Sequence, residues 1–183
     1  MNFKMLFPFV LAASIVSTIG CATATVNVDN VCAAATLPSI PAAPVLPAGQ
    51  SYPSATFSRS IPFDFSQTLS KVDSVANSLN VSVNQLLLSN TTGDLTWVSE
   101  ILVSINNQDS SSDSEPLASF HNDGTESNDV QMQVDMDSTT LLTYLSAGPV
   151  ELTFSITGTV PTTPTTLSNT MCVSVAASVS KGI

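Results

Sequence analysis

The sequence predicts an all-β fold, an antiparallel β-sandwich of about eight strands, immunoglobulin-like or jelly-roll-like, with one or two short helices between strands. Three observations carry this. Apolar and polar residues alternate with period two, most plainly where Val150, Leu152, Phe154 and Ile156 oppose Glu151, Thr153, Ser155 and Thr157, the pattern of strands with one buried face. Turn-forming clusters separate such runs at residues 90–94, at Asn122-Asp123-Gly124 and at residues 161–164. Charged residues make up only 10% of the chain; Ser and Thr do most of the solvating, which suits an exported β-rich domain better than a cytosolic helical one.

The first element reads as an export signal. Lys4 supplies a short basic region, residues 5–16 an apolar run, and small residues precede Cys21. A run of twelve residues falls short of the roughly 20 that a spanning helix needs, and Pro8 disfavours an uninterrupted helix. Residues 1–20 are therefore expected to be removed. Ile19-Gly20-Cys21 resembles the lipobox of bacterial lipoproteins, with Thr18 where a Leu is commonest, and makes Cys21 the expected lipidation site. An ordinary secretory signal cleaved after Ala22-Thr23-Ala24 fits the same stretch.

Residues 21–56 read as an N-terminal strand near 25–33 followed by a proline-rich crossing or tether. Pro38, Pro41, Pro44 and Pro47 recur every third residue, the repeat of polyproline II, so the prolines share one face of a stiff segment roughly 28 Å long. Such a segment either lifts a domain off a membrane or carries the chain across one end of a sandwich; a bridge between Cys32 and Cys172 favours the crossing. The compartment is wrong for reading it as a ligand of cytosolic proline-binding modules.

Residues 57–183 are expected to form the sandwich domain. Alternation marks strands around Ile101, Val103 and Ile105, around Val130, Met132 and Val134, over 150–157 and over 171–179. Shorter candidates lie at 56–65 and 116–121, and 81–89 is irregular because Leu86, Leu87 and Leu88 are consecutive. Asp137-Ser138, then Leu141, Leu142 and Leu145, then Gly148 and Pro149, predict a capped helix of one or two turns. Leu69, Val72, Ala76 and Leu79 fall at helical spacing after a cap candidate at Ser66.

Cysteine arithmetic points to the same compartment. With Cys21 acylated, Cys32 and Cys172 remain as a pair in an oxidising environment. Their bridge would close a loop of about 140 residues, which chain entropy values at about 5 kcal/mol as an upper figure. Parity opposes it: Cys32 keeps register with Val26 and Val28, whereas Cys172 lies opposite the more apolar Met171, Val173 and Val175. A β-bulge, or a face of small residues packed on a neighbour, would reconcile the two.

Charge narrows the partners. The chain carries a formal charge of −10, and loss of Lys4 leaves Arg59, Lys71 and Lys181 against fourteen acidic residues. Such a surface repels phosphate backbones, so no nucleic-acid partner is expected. No enzyme activity and no cofactor are expected either. His121 is the sole histidine, no Gly-x-Ser-x-Gly elbow presents a nucleophile, and one His with two bridged cysteines makes no ordinary zinc site. The hard oxygen ligands that calcium prefers gather in two loops, Asp109, Asp113 and Glu115 in one and Asp123, Glu126 and Asp129 in the other. Neither has EF-hand spacing, and the two flank one strand, so solvated surface is the competing reading. Asn80-Val81-Ser82 and Asn90-Thr91-Thr92 are glycosylation sequons that matter only in a eukaryotic exporter.

A strict immunoglobulin domain fails on spacing, since Trp97 lies 65 residues after Cys32; Trp97 reads as core or half-core. An early Cys strand, a proline-rich crossing, Gly93-Asp94-Leu95-Thr96-Trp97-Val98, the stretch from Tyr144 through Gly148-Pro149-Val150 to Phe154, and a closing Cys172 strand follow in order. That succession resembles uncharacterised small predicted lipoproteins of deltaproteobacterial, myxobacteria-like type, over most of residues 24–180. The resemblance implies a β-sandwich on an envelope membrane and nothing about catalysis. Three classes result: a non-catalytic protein held by a lipid anchor at the bacterial outer membrane or cell surface, with a protein or glycan partner; a secreted, unanchored sandwich, periplasmic or extracellular; and a glycan-active enzyme with two facing carboxylates.

Overall fold

The alternating runs fold into two antiparallel sheets packed face to face. The computed structural model describes residues 11–18, 21–65, 69, 78–92, 94–107, 114–122 and 129–182. In chain order they form β1 (Leu11–Thr18), β2 (Cys21–Thr36), β3 (Ser54–Phe63), β4 (Ser78–Thr92), β5 (Val98–Asn107), β6 (Glu115–His121), β7 (Asp129–Gln131), β8 (Gln133–Val134), the helix α1 (Ser138–Ser146), β9 (Val150–Thr159) and β10 (Thr166–Gly182). The first sheet has the order β1-β2-β10-β4-β7 and the second β3-β9-β5-β6-β8.

One core lies between the sheets. Val81, Leu86, Leu88, Met171, Val173 and Val175 face it from the first, and Ile101, Val103, Ile105, Leu152, Phe154 and Ile156 from the second. Their side chains are essentially excluded from water, and each contributes about 1.5–3 kcal/mol by burial. β9 buries every second residue along almost its whole length.

Three bulges explain where the sequence pattern breaks. Between β2 and β10 the register steps from Val31↔Val173 to Val28↔Val175, so β2 carries one residue more than its partner. Val31 and Ala33 thus point inward with Val28 although their parities differ. Cys32 then stands directly opposite Cys172 on the outer face, and the two are disulfide-bonded across a separation of 140 residues. In β4 the register steps from Val83↔Val173 to Gln85↔Cys172, which moves the inward parity from Val81 to Leu86 and Leu88. In β6 the step falls between Ala118 and Pro116, and Leu117 and Ala118 are both buried.

The run around Val130, Met132 and Val134 is two short strands rather than one. β7 pairs with β4 and β8 with β6, so the chain changes sheets at Met132. Met132 is buried, and its N–H donates to the Leu86 carbonyl at 2.9 Å. This closes one side of the sandwich.

α1 forms where the cap signals lie. Asp137 caps it, accepting from the N–H groups of Thr139 and Thr140 at 2.9 and 3.0 Å. Leu141 and Leu145 are its buried face, against β4 and β5. Gly148, at φ +135°, takes a backbone conformation that side chains disfavour and turns the chain into β9. In the second helical expectation, Leu69 is buried and its N–H donates to the Phe65 carbonyl at 3.1 Å, one helical turn. Leu79 belongs to β4 instead, and Ser66, Val72 and Ala76 lie outside the described residues.

Candidate functional site

The proline segment crosses one end of the sandwich, from β2 in the first sheet to β3 in the second. Its hydrogen bonds recur at the proline spacing. Leu37, Ile40 and Ala43 each precede a proline, and their N–H groups donate to the carbonyls of Leu167, Thr165 and Pro161 at 2.8, 2.9 and 2.8 Å. A threefold repeat places every third N–H on one side, so the segment lies along the β9–β10 connection, with Leu37 and Ile40 buried beneath it.

Two further pieces meet that connection. The turn before β5 is built by Asp94, whose Oδ1 accepts from the Thr96 N–H at 3.1 Å and the Thr96 hydroxyl at 2.6 Å. Leu95 is fully buried below the turn. Buried Asn122, at the end of β6, donates from Nδ2 to the carbonyls of Leu95 at 3.2 Å and Val98 at 2.9 Å. Tyr52 precedes β3, where the Val160 N–H donates to the Pro53 carbonyl at 3.1 Å.

These three segments enclose a groove of about 270 Å³, with Tyr52, Asp94, Trp97, Thr159, Thr162 and Thr163 in its walls. Its floor depends on Gly158. A Cβ there would lie 2.0 Å from the Trp97 carbonyl oxygen, so only glycine lets β9 approach the turn closely enough for the Thr159 N–H to reach that oxygen at 2.8 Å. Trp97 is half-buried and packs edge-on against Phe57, ring centres 5.9 Å apart at 90°. Its indole Nε1 is buried without a hydrogen-bond partner. Asp94 is the one carboxylate among the lining residues, which include no Lys, Arg or His.

A second recess, about 350 Å³, lies beside the start of α1 and is lined by Asn80, Ser82, Ser138 and Ser174, with no aromatic or charged side chain. In its wall, the Ser174 hydroxyl accepts from Nδ2 of Asn84 outside the recess.

The residues singled out in the sequence lie elsewhere. Cys21 opens β2 opposite Gly182, at the end of the first sheet remote from the groove. Cys32 and Cys172 bridge β2 and β10 on the outer face. Glu115 begins β6 and Asp129 begins β7, both exposed; Asp109, Asp113, Asp123 and Glu126 lie outside the described residues. Among the described residues, no three His, Cys, Asp or Glu side chains come close enough to hold a metal ion. His121 is exposed at the end of β6, in register with Glu100. No helix among the described residues is long and apolar enough to cross a membrane.

The groove is not legible in the sequence. Local pattern predicts turns at 90–94 and 161–164 and a packing role for Trp97, but the convergence of those turns with Tyr52 depends on the strand order. The threonines clustered around Pro161 and Pro164 are the one local signal, and nothing in the sequence links them to Trp97. No protein-family model and no curated protein sequence matches the chain.

Proposed function

We propose that the chain is an exported envelope protein, anchored to a bacterial outer membrane or cell surface through an acylated Cys21, whose non-catalytic sandwich serves as a binding module. The observation that carries this reading is the opposition of the two ends. Cys21 pairs with Gly182 at one end of the first sheet, whereas at the other Thr36 pairs with Ser168, three residues from Thr165 in the groove's lining. β2 has 16 residues, and at about 3.3 Å per residue it spans about 50 Å. An anchor at Cys21 therefore presents the groove away from the membrane.

Two further facts support it. The Cys32–Cys172 bridge belongs to an oxidising compartment. β1 is outermost in its sheet, so cleavage before Cys21 removes an edge strand and leaves the pairing of β2 with β10 in place. The single carboxylate in the groove favours binding over glycosidic hydrolysis, which uses two.

Mass spectrometry of the native mature N-terminus, with fatty-acid labelling of wild type and Cys21→Ala, tests the proposal. A diacylated or triacylated Cys21, with label lost in the variant, is the expected result. An unlabelled wild type beginning at Thr25 refutes the anchor and leaves a secreted sandwich.

A further inference from the structure

We infer that the groove at the proline-crossed end binds a neutral saccharide, stacking one sugar ring on the Trp97–Tyr52 wall and bonding its hydroxyls to Asp94 and the threonines. The inference deepens the binding-module reading and rests on it for the compartment in which glycans are met.

Aromatic side chains offer flat apolar faces to the C–H faces of sugars, and a carboxylate accepts hydroxyl hydrogen bonds with charge assistance. Both chemistries converge here, with Tyr52 and Trp97 beside Asp94. Thr159, Thr162 and Thr163 are exposed on the same rim and add hydroxyls that both donate and accept. A space of about 270 Å³ is just under the roughly 300–1,000 Å³ of drug-sized sites, which suits one or two rings of a chain that continues into solvent. Trp97 has no hydrogen bond fixing its ring, and its Nε1 is buried unpaired. A small tilt that brings Nε1 to a sugar hydroxyl therefore satisfies a donor the free protein leaves unsatisfied.

Other ligand classes fit worse. The lining residues include no Lys, Arg or His, and the chain's formal charge is −10, so phosphates, sulfates and uronates meet repulsion. An extended peptide binds by adding to a sheet edge. Here the backbone groups are already used: Trp97 O by Thr159, Leu95 O by Val98, Pro161 O by Ala43, and Pro53 O by Val160.

Trp97 is the only tryptophan, so its fluorescence reports the groove directly. The processed, purified full-length protein is titrated with cellotetraose, chitotetraose and mannotetraose, with a sulfated tetrasaccharide and with tetraproline. A saturable shift with at least one neutral tetrasaccharide is expected, with Kd below about 10 mM. Tyr52→Ala is expected to weaken it roughly tenfold, and Asp94→Asn, which keeps an oxygen for the Thr96 turn, roughly three- to tenfold. Val45→Ser, on the exposed crossing, leaves it unchanged. No saturable shift with any neutral tetrasaccharide, an equal response to the sulfated one, or a response to tetraproline alone overturns the assignment. A shift retained when Cys21 proves unacylated removes the anchor and keeps the saccharide site, whereas an acylated Cys21 with silent Trp97 fluorescence removes the saccharide site.

Discussion

Replacing Gly158 by alanine puts one methyl group where the structure has backbone. The added Cβ would lie 2.0 Å from the Trp97 carbonyl oxygen, 2.8 Å from Val98 Cα and 2.9 Å from the Trp97 carbonyl carbon. Carbon and carbonyl oxygen approach to about 3.3 Å at closest in ordinary sheets, so the turn must withdraw by more than an ångström. No side chain can rotate to relieve the clash, since all three atoms are main chain. Withdrawal breaks the 2.8 Å bond from the Thr159 N–H to the Trp97 oxygen. Losing that bond strands a carbonyl acceptor at a cost of about 1–3 kcal/mol, and residual crowding adds about 1–3. Reduced freedom of the unfolded chain offsets about 0.4–1 kcal/mol. The expected net loss is about 3 kcal/mol, a large share of the roughly 5–15 that hold a domain folded.

Urea unfolding followed by Trp97 fluorescence measures this. With a slope of about 2 kcal/mol per molar urea, the midpoint falls by about 1.5 M. A midpoint within about 0.3 M of wild type would refute the close approach of β9 and the turn. Loss of saccharide response in a variant that still unfolds cooperatively would place the damage in the groove.

Three other outcomes are expected. Changing Cys32 and Cys172 together to serine costs up to about 5 kcal/mol by loop entropy, and thiol titration of the unfolded, unreduced protein finds neither cysteine free; two reactive thiols there would refute the bridge. Asn122→Ala strips Leu95 O and Val98 O of a donor, costs about 2–3 kcal/mol and loosens the groove's turn, read as a lower urea midpoint. The Thr140 N–H, then the Thr140 hydroxyl, hold the Asp137 carboxyl below its ordinary value. Stabilisation by this cap is thus full above the unfolded carboxylate range and fades as pH falls through the lower folded value; Asp137→Asn keeps the cap and flattens that acid limb in pH-dependent unfolding, while Asp137→Ala loses the cap at every pH.

The strands and the helix were legible because each is set by local pattern. β9 alternates without interruption, and α1 carries its own cap, apolar pair and terminal glycine. What the sequence blurred has one physical origin. A bulge inserts a residue and reverses parity, so the inward set passes from Val81 to Leu86 in β4, and from Val28 to Val31 in β2. Consecutive leucines at 86–88 were the trace of the first, and the mismatch of Cys32 with Cys172 the trace of the second. Met132 was illegible for a different reason: a strand that switches sheets keeps its alternation, because a residue between two edges is buried like any core residue. The groove lay beyond local pattern altogether. Tyr52, Asp94 and Trp97, and Thr159 to Thr163, belong to three loops that only the strand order brings to one end.

Anchoring and orientation are one problem in this topology. Cys21 is the first residue of β2, so an acyl group there joins a strand with no flexible stem between them. Eleven residues on, Cys32 ties that strand to β10, and four residues further Thr36 reaches the crossed end. From Cys21 to Thr36 the strand is paired with β10 except at the bulge between Val28 and Val31, and its direction is set by that hydrogen-bond ladder. Loss of β1 would leave residues 21–28 paired with β10 alone, a free edge of uncharged residues that invites pairing with another chain. If Cys21 is acylated as proposed, the edge that cleavage exposes lies at the anchored end and the groove at the opposite one, so strand addition at the first and ligand binding at the second do not compete for the same surface.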